Sequence, residues 1–369
     1  MASIMVFSSG NVTRRASGGS PRLGGFGYKA NSTLVVPIRQ RGTGARAVPR
    51  CEGAQRVLHC PSCRSARKCR ACTTRRQTMD LTALLSGQLT VADGAWGTEL
   101  QKLGLDQGAC PEEWNVTHPD RVRQVARSYV EAGSEIILTN TFGGNQFALA
   151  GHVPGDRVHE LNKAGAARSK EAAAGKALVA GSIGPSGKLL LMGDTTSEEL
   201  AEAFAVQAAA LVEGGVDALC VESMADLEEA LIAVRAAKAT GVPVIASLTY
   251  DSGPDKTRTM MGVDPTQAVP KLLDAGADVV GANCGLGIES YIKVCELVRA
   301  QREGPVWIKP NAGLPAVEGG RTVYRQSVEQ FCSFVPQLLE AGATVLGGCC
   351  GTTPEHVRRL AQALTLRRA

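Results

Sequence analysis

Two places in this 369-residue chain put cysteine in unusual company. "VGANCG" sets Cys284 after Asn283, and "VLGGCCGTTPEH" sets Cys349 and Cys350 side by side between glycines. Adjacent Cα atoms lie about 3.8 Å apart, closer than a relaxed disulfide prefers, so the pair is poorly suited to bonding to itself. Three thiolates with one open position are the donor set of a catalytic zinc site, whereas structural zinc takes four closed ligands. Soft sulfur suits zinc, and flanking glycines let the backbone come close to an ion. A thiol entering the open position would be deprotonated by coordination. A free thiol, with a pKa near 8.5, is only a few per cent thiolate at neutral pH. The chemistry on offer is activation of an incoming sulfur for alkylation. The plainer alternative makes all three small buried hydrophobes, as the apolar surroundings of Cys220, Cys295 and Cys332 predict for those residues. A vicinal disulfide with a redox role is a further alternative, disfavoured where thiols are kept reduced.

For the three cysteines to act together, the fold must bring residue 284 to residues 349 and 350. Short β-rich apolar runs recur eight times: 89–94, 135–142, 177–184, 217–223, 243–250, 278–285, 305–313 and 343–350. Helical patterns such as "SEELAEAFAVQAAALVEGG" fill the intervals, and "EAGSE", "EGGVD", "DAGAD" and "EAGAT" repeat one helix-to-strand turn ending in glycine. Eight alternations over this length predict a (β/α)8 TIM barrel, whose usual size is about 250 residues. A doubly wound sheet is the runner-up, but "DGAWGT" after the first run is not the Gly-rich phosphate loop it would normally carry. Barrel active sites lie at the C-terminal ends of the strands. Those ends hold Asp93-Gly94, Asn140-Thr141, Glu222, Asn283-Cys284, Lys309-Pro310-Asn311 and Cys349-Cys350.

The chain changes character near residue 79. Residues 1–79 hold 15 Lys/Arg and one acid, Glu52, while the remainder holds 25 Lys/Arg and 34 Asp/Glu. The first part, 1–78, is Arg- and Ser-rich without hydrophobic periodicity, which predicts a disordered extension. It is either an organellar transit peptide or sequence upstream of a start at Met79. Its Cys60, Cys63, Cys69 and Cys72 form two C-x2-C pairs only five residues apart, a tight knuckle at best, since zinc ribbons space such pairs by about 15 to 20. The second part, 79–369, is mildly acidic and shows no nucleic-acid footprint. No apolar stretch approaches the roughly 20 residues of a membrane span, so no membrane role is expected.

"VADGAWGTELQ", "WNVTHPDRVRQVARSYVEAGSEIILTNTFGGN", "VGANCG", "KPNAGLP" and "GGCCGTTPEHVR" resemble the homocysteine S-methyltransferase family from about residue 88 to 366. Within it they are most similar to the homocysteine-binding part of cobalamin-dependent methionine synthase, with betaine–homocysteine methyltransferase also related. The resemblance implies a zinc barrel that methylates homocysteine to methionine, with Cys284, Cys349 and Cys350 as metal ligands. It further implies that Asp93 and Glu222 hold the substrate ammonium, and that backbone N–H groups at Gly94 and around Asn140–Thr141 meet its carboxylate. From the residues alone, either carboxylate could instead pair with a barrel Lys or Arg. Asn283 and Asn311 read as braces for the ligands or as turn residues. Lys309 at a strand end could suggest a Schiff-base lysine, a reading the neighbouring cysteines disfavour. His118 and His356 near helix starts read as structural.

The methyl donor is open. The folate and cobalamin domains of methionine synthase are not part of these residues, so a methylated corrinoid on a separate protein is the first expectation. Betaine would call for an aromatic cage; Trp96, Trp114, Phe142, Phe147 and Tyr250 are candidates without evident clustering. S-methylmethionine needs less caging. Methylation of another thiol, or a pure docking role toward a corrinoid protein, are the remaining alternatives. The cysteine content suits a reducing compartment, the cytoplasm if translation starts at Met79 and an organelle if the extension is a transit peptide. Oligomeric state is not readable.

Overall fold

The computed structural model describes residues 81–318 and 321–368. The basic extension, with Cys60, Cys63, Cys69 and Cys72, and the boundary at Met79 lie outside the described residues. Seven parallel strands come first: β1 (Thr90–Val91), β2 (Ile136–Leu138), β3 (Leu178–Ile183), β4 (Ala218–Met224), β5 (Val244–Leu248), β6 (Val279–Gly287) and β7 (Val306–Asn311). An antiparallel hairpin of β8 (Pro315–Glu318) and β9 (Arg321–Tyr324) precedes the last barrel strand, β10 (Val345–Leu346). The parallel strands run in the order β1-β10-β7-β6-β5-β4-β3-β2, and a parallel bridge between Ala92 and Ile136 joins the two ends. The result is the (β/α)8 barrel, with one strand in each of the eight runs; β4 and β6 continue one and two residues past theirs. The hairpin is an addition that the periodicity does not announce.

Helices form where capping residues start them. Thr196 with Glu199 opens Ser197–Glu213, and Asp264 with Gln267 opens Pro265–Asp274, each by a reciprocal capping box. Four helices end in one recurring device. Gly133, Gly215, Gly276 and Gly342 take left-handed φ of 107°, 93°, 108° and 100°, a conformation that costs glycine little. Two residues later Glu135, Asp217, Asp278 and Thr344 turn back onto the preceding strand. Their side chains accept the N–H of Val91, Val179, Val244 and Val306 at 2.8–2.9 Å. Their own N–H groups donate to the carbonyls of the same four valines. One sequence pattern thus closes the lower end of every other strand pair.

Along the strands, alternate residues face the helices and the barrel interior. The lower interior is apolar: Leu84 from the helix Leu81–Leu85 plugs it among Ile136, Ala218, Ile245, Trp307 and Val345. The upper interior is polar, with buried Ser182, Glu222, Ser247, Asn283 and Lys309. That gradient carries stability below and chemistry above.

Asp278→Ala leaves the Val244 N–H without its acceptor. We expect about 1–3 kcal/mol of lost stability in urea unfolding, with thiol reactivity at the opposite rim unchanged.

Candidate active site

β6 and β10 flank β7, so Cys284 and the Cys349–Cys350 pair meet across its upper end. Cys284 stands in register with Pro310, which has no N–H to give the ladder. Just past it the register slips, between Cys284 and Gly287. Cys284 takes a left-handed φ of 67° there, rare for a residue with a side chain. On the other flank, Cys349 N–H donates to the Pro310 carbonyl at 2.8 Å, and Ala312 N–H to the Cys350 carbonyl at 3.0 Å. Thr352 closes the turn, its N–H and hydroxyl both donating to the Cys349 carbonyl, at 3.1 and 2.7 Å. Gly348 allows this closure, since a Cβ there would lie 2.3 Å from the Thr352 hydroxyl.

The three half-buried sulfurs lie within 4.8 Å of one another, and those of Cys349 and Cys350 are 4.0 Å apart as free thiols. Tetrahedral zinc with bonds of about 2.3 Å would set them about 3.8 Å apart, so the set fits an ion after a shift of about 1 Å or less. As thiols they resist ionisation. The hydrogen bond from Cys349 favours the Cys284 thiolate, but its bond to Cys350 and its burial outweigh this and push it up to about 12. Bonding to Cys284, then burial, raise Cys349 as well. A cation would reverse that balance. Asn311 stands beside them, its amide donating to the Gly285 carbonyl at 2.7 Å and its buried Oδ1 without a hydrogen-bond partner among the described residues.

A second cluster fills the barrel just below. Glu222 accepts the Ser182 hydroxyl at 2.5 Å and the Asn283 amide at 3.2 Å. Burial raises its pKa, opposed chiefly by Lys309. Asn283 accepts from Ser247 Oγ at 2.7 Å and Ser223 N–H at 2.8 Å. Its amide also donates to Ser223 Oγ at 2.6 Å and lies 4.0 Å from the Cys349 sulfur. This residue links carboxylate to thiol. Asp93 accepts from Lys309 Nζ at 2.5 Å, Trp96 indole N–H at 2.9 Å and Leu138 N–H at 2.7 Å. Burial would lower Lys309, but Asp93 and then Glu222 outweigh it and hold the ammonium above its usual value.

The remaining sequence candidates spread around the rim. Gly94 follows Asp93 and lies against Tyr129 and Thr352. The Asn140 side chain donates to the Pro111 carbonyl and to Asn115, and the Thr141 hydroxyl donates to the Ser182 carbonyl. Both side chains brace the turn. Of the aromatic candidates, Tyr250 is buried, Trp96 is committed to Asp93, Trp114 stacks on His118, and Phe142 is exposed. Ser182, Ser223 and Ser247 were not legible as site residues. Ser182 and Ser247 carry one signal, a polar residue at an inward position of an otherwise apolar strand, whereas Ser223 follows the inward Glu222 and reaches Asn283 from a left-handed φ of 59° that the sequence does not announce. Cys220 and Cys295 are fully buried and Cys332 is half-buried against the core.

His356 Nδ1 accepts the Thr353 N–H at 3.2 Å, just beyond the cysteine turn. Burial lowers its pKa, so the unfolded chain binds the proton more readily. Its contribution to stability is complete above the unfolded value of about 6.5 and fades as pH falls through the lower folded value. Thermal unfolding of wild type should weaken between pH 7 and 5 by more than that of His356→Gln.

Comparison with known proteins follows the same outline. The family described as homocysteine S-methyltransferase matches residues 90–364. Methionine synthase of Mycobacterium tuberculosis is 33% identical over an alignment 305 residues long that covers 77% of this chain and 25% of that protein. Betaine–homocysteine S-methyltransferase 1 of Danio rerio is 30% identical over 319 residues, 78% of this chain and 76% of that one. The metallated form of the Escherichia coli homocysteine methyltransferase MmuM shares the fold, with a TM-score of 0.64 and 22% identity over 75% of this chain and 96% of that one. The chain therefore spans about a quarter of the mycobacterial methionine synthase.

Proposed function

The chain belongs to the homocysteine S-methyltransferase family, and from that premise we propose that it methylates the thiol of homocysteine to give methionine, with zinc held by Cys284, Cys349 and Cys350. The observation that carries this reading is the meeting of three sulfurs, from two separate strand ends, within 4.8 Å. A zinc ion there would supply the positive charge that keeps an incoming thiol ionised at neutral pH. The protein supplies the rest. The carboxylate of Glu222 at the end of β4 meets the ammonium of the acceptor, and backbone N–H groups at Gly94 and the Asn140–Thr141 turn meet its carboxylate. Asn283 fixes the distance between the amine end and the sulfur end, because it touches both Glu222 and the Cys349 sulfur.

For the donor we favour a methylated corrinoid carried by a separate, folate-fed protein. Likeness to methionine synthase supports it. Betaine is the second reading, supported by the similarity to the betaine enzyme, and S-methylmethionine would need the same acceptor site. A pure docking role would survive loss of zinc, whereas catalysis would not. Among the described residues no helix is long and apolar enough to cross a membrane. The free thiols suit a reducing compartment such as the cytoplasm.

The test is metal analysis of the reduced full-length chain beside Cys349→Ser, followed by titration with homocysteine in weak buffer. We expect one zinc per chain, lost in the variant, and release of about one proton per homocysteine bound. A reduced wild-type protein that takes up no zinc would sink the reading.

A further inference from the structure

By resemblance Asp93 and Glu222 share the substrate ammonium, yet the barrel equips them differently. Asp93 is fully buried, and both of its oxygens are engaged by Lys309, Trp96 and Leu138. Its negative charge is met at 2.5 Å by an ammonium that is itself buried. A carboxylate with a bonded cation and two further donors has little left to offer a ligand. Among the described residues Glu222 has no cation within ion-pair distance, Lys309 being paired with Asp93. Its bonds come from the neutral Ser182 hydroxyl and, at a longer 3.2 Å, the Asn283 amide. It also lies on the Asn283 bridge to the Cys349 sulfur, so a ligand ammonium at Glu222 sits in line with a ligand sulfur at the cysteines.

The geometry points to Lys309 as a resident substitute for the substrate ammonium at Asp93, which leaves the amine subsite of this enzyme built on Glu222 alone. The inference rests on homocysteine being the acceptor. Lys309 is then a specificity-determining residue that need not touch the substrate: it withdraws one of two carboxylates from recognition. Asp93 becomes the tie between β1, β2 and β7. Lys309 itself approaches the ring of Trp307, at 5.5 Å from its centroid, which helps hold the ammonium in place.

The experiment compares calorimetric binding of homocysteine and of 4-sulfanylbutanoate, which lacks only the amine, to the zinc-loaded full-length chain. Wild type should prefer homocysteine. Glu222→Gln should erase most of that preference, by about thirtyfold or more, the scale of removing one partner of a buried charge pair. The double variant Asp93→Asn, Lys309→Met removes both members of the resident pair and strands no charge, so it should fold. Its preference should stay within about threefold of wild type. Lys309→Met alone returns Asp93 to the search for a cation, and where that variant folds the preference for the amino thiol should rise, a change that loss of a structural tie would not produce. Collapse of the preference in the double variant, to the level of Glu222→Gln, would overturn the inference and return Asp93 to the subsite. Zinc-loaded wild type that binds neither thiol would overturn the homocysteine reading and this inference together. Wild type that binds both thiols equally would overturn this inference while leaving the thiol-activating site intact.

Discussion

β7 stands between β6 and β10, whose upper ends bring the cysteines together, and the site hangs on residues 309–312 at its own upper end. Lys309 points inward and neutralises Asp93. Pro310 stands in register with Cys284, beside the point where that residue leaves regular strand geometry, and gives its carbonyl to Cys349 of the other flank. Asn311 fastens Gly285, and Ala312 fastens Cys350. A proline within a central strand is ordinarily a fault. Here it stands at the upper end of the strand, level with the register slip that follows Cys284. A local defect in pairing becomes the seat of the donor set.

Below the sulfurs, the barrel keeps several polar and charged groups in a small, mostly dry space. This is tolerable because nearly every one has a named partner: a serine and an asparagine for Glu222, an ammonium and two N–H groups for Asp93. Buried charge left unpaired would cost several kcal/mol. The division between the two carboxylates then has functional weight. One is spent on holding strands together, and the other keeps capacity for a ligand. The lower end of the barrel works by a different economy, in which a glycine and an acceptor two residues later, used four times, satisfy the strand starts without any ligand.

Much of this was legible. Alternating runs and glycine-ended helices announce the barrel because hydrophobic period and left-handed turns are local properties. Cys284 and the Cys349–Cys350 pair stand out because cysteines beside asparagine and glycine at strand ends have few other uses. The hairpin 315–324 was not legible, since its strands are short, partly exposed and outside the repeating rhythm. Nor was the assignment of Ser182, Ser223 and Ser247, which look like ordinary small residues until the strand's inward face is known.

The sequence by itself determined the period of the strands, the turns between them and the donor atoms available for a thiol-activating centre. It also determined that two carboxylates and a lysine would stand at strand ends. Only the tertiary structure decided which of these would meet. Asp93 and Lys309 are 216 residues apart, and their pairing depends on barrel closure, which sets β1 and β7 on either side of β10. Whether a buried carboxylate is free for substrate depends on which cation reaches it first, and that is a property of packing in three dimensions.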